Sequence, residues 1–242
     1  MRKYLLFTFL AMFILSTVSG CGKNALLSAL PGASHDSGGG TVVVPSVIFS
    51  ENFNAFAAGQ LSNGTFGWAV NSGSFSTVTI DNAIFASASR SLRLELADST
   101  KGGVQITHAF NWATALNIEF NCQSPVVTGL GFSAGPTVDG VFPVYAQIRD
   151  GNIYIFYLIF ADASFKSWAG VDTQFAVSAN TWYKLNLRVD ISSKTWSVLI
   201  NGSAPPANSN GTFNLDGGLL DGVKFQGKNN SVCYFDDIKV TR

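Results

Sequence analysis

The residues with the most chemical reach in this 242-residue chain alternate along one short run, residues 144–149. Successive side chains of a strand point to opposite faces, so Tyr145, Gln147 and Arg149 share one face and Val144, Ala146 and Ile148 the other. The first face presents a phenol, an amide and a guanidinium. Sugar rings offer apolar C–H surfaces that stack on aromatic rings, and hydroxyls that need amide or guanidinium partners. A sheet face of this mixture suits a glycan, although ordinary cross-strand pairing uses the same residue types. Asp150-Gly151-Asn152 turns the chain into residues 153–160, apolar on both faces, which fits a central strand or one lining an aromatic groove. Tyr154 and Trp168 are expected beside the first three residues, with Trp112 as a further neighbour.

Catalytic equipment is sparse. The glutamates are Glu51, Glu95 and Glu119. Glycoside cleavage usually takes two carboxylates within several ångströms, one with a raised pKa, and no spacing here supplies that pair. His35 lies in a glycine-rich stretch, which leaves His108 as the single histidine of the remaining chain. A lone histidine is more often structural than catalytic, and a Ser-His-Asp triad would have to use it. There is no P-loop and no zinc-ligand spacing, so no organic cofactor and no catalytic residue is assigned.

The elements that must position these residues are β-strands. Charged residues make up 12% of the chain and aromatics 13%, with 24 glycines. That balance favours β structure over helical bundles. Short alternating runs recur between turn signals from Val47 onward, and no segment holds a helical period. With 15 basic and 15 acidic residues there is no basic patch for nucleic acid. About 200 residues suffice for one such domain.

The first 46 residues read differently. Arg2 and Lys3 precede an apolar run over residues 5–15, then Val18-Ser19-Gly20-Cys21. Basic start, short apolar run and small residues before a cut are the layout of a secretory signal, too short to span a bilayer. A cysteine directly after the small residues resembles a bacterial lipobox. The resemblance implies removal of residues 1–20 and lipid on Cys21, leaving a formal charge of −2 once Arg2 and Lys3 are gone. Residues 21–46 then form the lipidated cysteine and a linker whose core is Pro31 to Gly40. Such a coil reaches about 25–30 Å. Thr41 to Val44 is β-prone and ends the linker or starts an edge strand. The expected setting is the bacterial cell envelope. Gly22 does not resemble the aspartate that marks inner-membrane retention, which favours the outer membrane.

The C-terminal third carries the resemblance for the domain itself. A Trp-led strand, Asn180 to Asp190, places Tyr183, Leu185, Leu187 and Val189 on one face. A return strand, Thr195 to Ile200, ends in Asn201-Gly202. The chain closes with Tyr234-Phe235-Asp236-Asp237-Ile238-Lys239-Val240. With an early Glu51-Asn52-Phe53 and Ser91-Leu92-Arg93-Leu94, this order resembles the laminin G-like branch of the concanavalin A-like lectin/glucanase superfamily. It implies an all-β, two-sheet antiparallel jelly-roll sandwich over residues 47–242, with first and last strands side by side. Trp182 and Trp196 are then packing residues.

That neighbourhood would bring Glu51 to Asp236 and Asp237. Hard oxygen ligands gathered there would suit a structural Ca²⁺. The superfamily's glucanases carry Glu-x-Asp-x-x-Glu on one strand, and nothing here matches. Jelly-roll polysaccharide lyases use Gln, His, Tyr and Arg together; Arg93, Gln105, His108 and Tyr154 supply the types without the local motifs. An oxidising compartment would allow a Cys122–Cys233 disulfide, though alternation shows no clear agreement of their faces. The expected function is a lipid-anchored module that binds a polysaccharide or other glycan without cleaving it. The alternatives are a protein-binding or structural surface module, and a polysaccharide-active hydrolase or lyase.

Overall fold

The computed structural model describes residues 45–87, 89–98, 103–161, 166–215, 217–228 and 230–242. The signal segment, Cys21, residues 41–44 and nearly all of the linker lie outside these residues. The described chain forms β1 (Val47–Glu51), β2 (Gly59–Gln60), β3 (Trp68–Ser72), β4 (Ser76–Asp81), β5 (Ser91–Leu96) and β6 (Val104–Ala113). It continues through β7 (Ala115–Gln123), β8 (Leu130–Thr137), β9 (Val144–Arg149), β10 (Asn152–Ala161) and β11 (Lys166–Ala176). It ends with β12 (Tyr183–Asp190), β13 (Thr195–Ile200), β14 (Asn210–Thr212), β15 (Leu220–Gly227) and β16 (Val232–Thr241).

Two sheets pack face to face. The nine-stranded sheet runs β14-β13-β12-β7-β16-β5-β4-β2, with β1 also paired to β16. The seven-stranded sheet runs β11-β10-β9-β8-β15-β6-β3. The ladders are antiparallel, and the first and last strands lie side by side, Val47 opposite Thr241 and Glu51 opposite Ile238. This is the two-sheet jelly-roll sandwich expected from the alternating runs.

Each sheet contributes one apolar face to a shared core. Phe225 of the seven-stranded sheet meets Phe120 and Phe235 of the other at centroid distances of 5.4 and 4.7 Å, and Phe132 meets Phe235 at 5.0 Å. These rings are fully buried. On β12, Tyr183, Leu185, Leu187 and Val189 are buried while the residues between them are not, the period of two that fixes register. Trp196 is buried as a packing residue, its ring passing so close to Gly211 that a Cβ there would sit 2.8 Å from it.

Turn chemistry sets the hairpins. Asp150 and Gly151 join β9 to β10 with φ of 47° and 81°, the doubly positive pair of a two-residue I′ turn. That turn pairs Arg149 with Asn152 and sets the β9–β10 register. Asn201-Gly202 closes β13 in the same way.

Candidate functional site

The core-facing residues of β9 are Val144, Ala146 and Ile148, all buried. Tyr145, Gln147 and Arg149 therefore point away from the core, as the alternation predicts. Across the β9–β10 ladder Tyr145 pairs with Phe156 and Gln147 with Tyr154. Across β10–β11, Tyr154 pairs with Asp172, Phe156 with Gly170 and Leu158 with Trp168. The fold thus brings Tyr145, Gln147, Arg149, Tyr154 and Trp168 onto one outer face of the seven-stranded sheet.

Their rings form a ladder with two members the sequence reading missed, Phe142 and Phe156. Phe142 lies 5.0 Å from Tyr145, Tyr145 stacks on Phe156 at 5.1 Å with planes 6° apart, and Phe156 lies 6.3 Å from Tyr154. A cation caps each end. The Lys224 ammonium sits 4.2 Å from the Phe142 centroid, and the Arg149 guanidinium 5.7 Å from that of Tyr154. Trp168 is 37% exposed, and its indole N–H donates to the Phe142 carbonyl at 3.0 Å, which fixes the ring against the same segment. Burial raises the Tyr145 phenol above its usual range, so at neutral pH it remains a neutral donor and acceptor.

Gln147 departs from expectation. It is 4% exposed, and its amide donates to Ser133 Oγ at 3.3 Å. Flanking larger side chains cover it, so it supports the face rather than meeting a ligand. Trp112 also departs: it lies at the end of β6, 71% exposed, not beside Tyr145. There it lines a cavity of about 380 Å³ with Leu219 and Arg242. The Arg242 guanidinium donates to the Trp112 carbonyl at 2.7 Å.

Among the described residues the glutamates and His108 do not converge. Glu51, Glu95 and Glu119 all belong to the nine-stranded sheet. Glu95 pairs with Arg93 at 2.7 Å and Glu119 with Lys184 at 2.8 Å. His108 lies on the inner side of the other sheet, stacked on Phe49 at 3.9 Å and edge-on to Trp68 at 5.2 Å. Burial lowers its pKa. Arg93 belongs to the nine-stranded sheet and His108 faces inward, so these two do not join Gln105 and Tyr154 on the outer face. Gly131-Phe132-Ser133-Ala134-Gly135 has the Gly-x-Ser-x-Gly spacing of a nucleophile elbow. It lies within β8 instead of at a strand-to-helix turn, with Ser133 buried and on the face away from His108.

The acids at the first and last strands act as braces. Fully buried Asp236 accepts the backbone N–H groups of Ala86 and Ser87, each at 3.0 Å, and of Asp237 at 2.8 Å. Asp237 accepts Ser87 Oγ at 2.5 Å and Asn121 Nδ2 at 2.8 Å. Glu51 turns to the Phe53 N–H at 2.7 Å. The expected calcium set does not assemble: among the described residues no group of three His, Cys, Asp or Glu is placed to hold a metal. The Asp236 and Asp237 oxygens instead fasten Ala86 and Ser87 to β16.

Cys122 and Cys233 are separate buried thiols, not a bridge. The direct partner of Cys122 on β16 is Phe235, which makes Cys233 its diagonal neighbour. Diagonal positions lie about 7–8 Å apart, and a disulfide usually needs about 4.4–6.8 Å between α-carbons. The thiols turn to different carbonyls, Cys122 to Tyr183 and Cys233 to Leu94.

No protein-family model matches the sequence, and no curated protein sequence matches it. Solved structures do resemble it. An endo-β-1,4-glucuronan lyase from the fungus Trichoderma reesei aligns with 81% of this chain and 95% of its own, at TM-score 0.61 and 12% identity. A sialidase aligns with 81% of this chain at TM-score 0.61 and 9% identity, and the match covers 18% of the sialidase. The binding domain of botulinum neurotoxin serotype D gives TM-score 0.52 and 16% identity over 81% of this chain and 48% of that one. At such identities the likeness is one of fold. It agrees with a concanavalin A-like jelly roll.

Proposed function

We propose that this chain is a lipid-anchored cell-envelope protein whose sandwich binds a carbohydrate, without cleaving it, through the outer face of β9–β11. The cation-capped ring ladder carries the reading. The partly exposed Tyr145, Tyr154, Phe156 and Trp168 rings offer apolar surface to the C–H faces of sugars, and Arg149, Tyr145 and Tyr154 offer hydroxyl partners. The scattered glutamates and the inward-facing His108 favour binding over cleavage. Likeness of fold to a glucuronan lyase and a sialidase is analogy and adds only modest support.

A screen of the full chain against diverse polysaccharides tests the reading. At least one polymer is expected to bind, with affinity roughly tenfold weaker in Tyr145→Ala and in Trp168→Ala, the scale of one lost aromatic contact. No binding to any polymer would transfer this face to a protein partner. Product release from a bound polymer would make the module an enzyme. The anchor rests on the lipobox-like Val18-Ser19-Gly20-Cys21, which would deliver several acyl chains and hence lasting membrane attachment. Cys21→Ser should then appear in the soluble fraction with an unchanged melt, and its retention on membranes would remove the anchor.

A further inference from the structure

The ladder is bordered by a second row that no sugar-stacking argument requires. β15 crosses the same outer face with Lys224 and Gln226, and the Lys228 N–H extends the ladder to the Gly131 carbonyl at 2.9 Å, which keeps Lys228 in the same alternation. Lys224 lies between Gly135 and Thr107, and Gln226 between Ser133 and Gln105. β8 separates this row from Tyr145 with small residues only. Gly135 cannot be enlarged, because a Cβ there would meet the Val144 carbonyl at 2.5 Å. A low strip of serine and glycine is thus flanked by rings on one side and ammonium groups on the other.

The two lysines lack the partners such positions normally have. Both are half-buried, and no carboxylate of the described residues comes within ion-pair distance of either. Lys224 gives one N–H to the Gly140 carbonyl at 2.7 Å and has two more to offer. Burial lowers both lysines, and Lys228 lowers Lys224 further. Partly desolvated like charges cost free energy, and a bound anion offsets that cost.

Resting on the glycan reading above, we infer that this face takes an acidic glycan. Lys224 and Lys228 hold its carboxylate or sulfate groups while the partly exposed Tyr145, Phe156 and Tyr154 rings hold its sugar faces, with Phe142 buried beneath Lys224. Gln226 and Gln105 lie between the cations as hydroxyl partners.

Affinity electrophoresis of the full chain tests this with three polymers: polygalacturonate for carboxylate, dextran sulfate for sulfate and dextran as the neutral control. At least one acidic polymer is expected to retard the chain, dextran not. Lys224→Gln and Lys228→Gln should each weaken retardation roughly tenfold, the loss of one charge-assisted contact. Added salt should weaken it too. Lys224 also ties down the Gly140 carbonyl, so Lys228→Gln, which breaks no hydrogen bond seen here, decides if Lys224→Gln melts early. Retardation by acidic polymers with Lys228→Gln unaffected would overturn the role of the lysine row. Equal retardation by dextran would overturn the acidic assignment and leave the glycan reading standing. No retardation by any polymer, extended to the wider screen, would overturn both.

Discussion

Tyr145 and Phe156 are direct partners across β9 and β10, their rings 5.1 Å apart and 6° from parallel. On the far side of Phe156 the partner is Gly170, and a Cβ there would lie 2.5 Å from the Phe156 ring. The ring therefore lies across a position that only glycine leaves open. Its parallel stacking follows from a missing side chain on the neighbouring strand.

Gly170→Ala should push Phe156 off Tyr145 while leaving the core intact, because the clash is with the tip of a side chain that can rotate. Near-ultraviolet circular dichroism is expected to change, with stability falling by about 1 kcal/mol or less and glycan binding by more than that. An unchanged aromatic signal would mean that the stack does not depend on Gly170.

Removing the Asp236 carboxylate leaves three part-buried N–H donors without their acceptor. Asp236→Ala should cost about 2 kcal/mol and loosen the chain at Ala86 and Ser87, as read by denaturant melts and amide exchange there. Since those oxygens already have donors, the melting temperature is expected to be the same in Ca²⁺ and in chelator. A calcium-dependent rise would show that an ion competes successfully for them.

His108 gives a pH dependence of known sign. Its folded pKa is lowered from 6.5 by burial, so between that lowered value and 6.5 the unfolded chain binds the extra proton. The stability from its neutral form is complete above about pH 6.5 and is lost as pH falls through the folded value. Glu51 and Asp236 are raised by burial and act in the opposite sense at lower pH, losing stability as pH rises. The difference between the wild-type chain and His108→Phe isolates the histidine. The variant's melting temperature should drop less than that of the wild type from pH 7.5 to 5.5; parallel profiles would refute the assignment.

Burial raises both domain thiols well above their usual range, which keeps them protonated and inert. In a Cys21→Ser chain, Ellman's reagent should find no thiol in the folded state and both after unfolding. The melt should not respond to reductant. A thiol count of zero in denaturant without reductant would demonstrate a disulfide.

Much of the frame was legible from alternation and turn residues. Residues 144–149 and 183–190 are strands whose inward and outward faces follow the period of two, and Asp150-Gly151 makes the hairpin that its residue types demand. In the last strand alternation breaks down for a physical reason. Asp237 has φ of 47°, and the β7–β16 register shifts between Asp236 and Lys239. This bulge inserts one extra residue, so Cys233 and Phe235 face the core above it and Ile238 and Val240 below it. A strict alternation cannot place Cys233 correctly through such a shift. At the site, Phe156 could have been found, since it shares its parity with Tyr154. Phe142 could not: it stands in a connection with no period, and only the fold carries it to Tyr145 and Lys224. Gln147 was recognised on the right face, but its burial depends on neighbouring strands that local sequence does not specify.

Amide and ring chemical-shift mapping with an oligosaccharide of the tightest-binding polymer tests the central claim most directly. The largest shifts are expected at Tyr145, Arg149, Tyr154, Phe156 and Trp168, with little change at Trp112. Shifts centred on the Trp112–Leu219–Arg242 cavity, with the β9–β11 face unmoved, would contradict it.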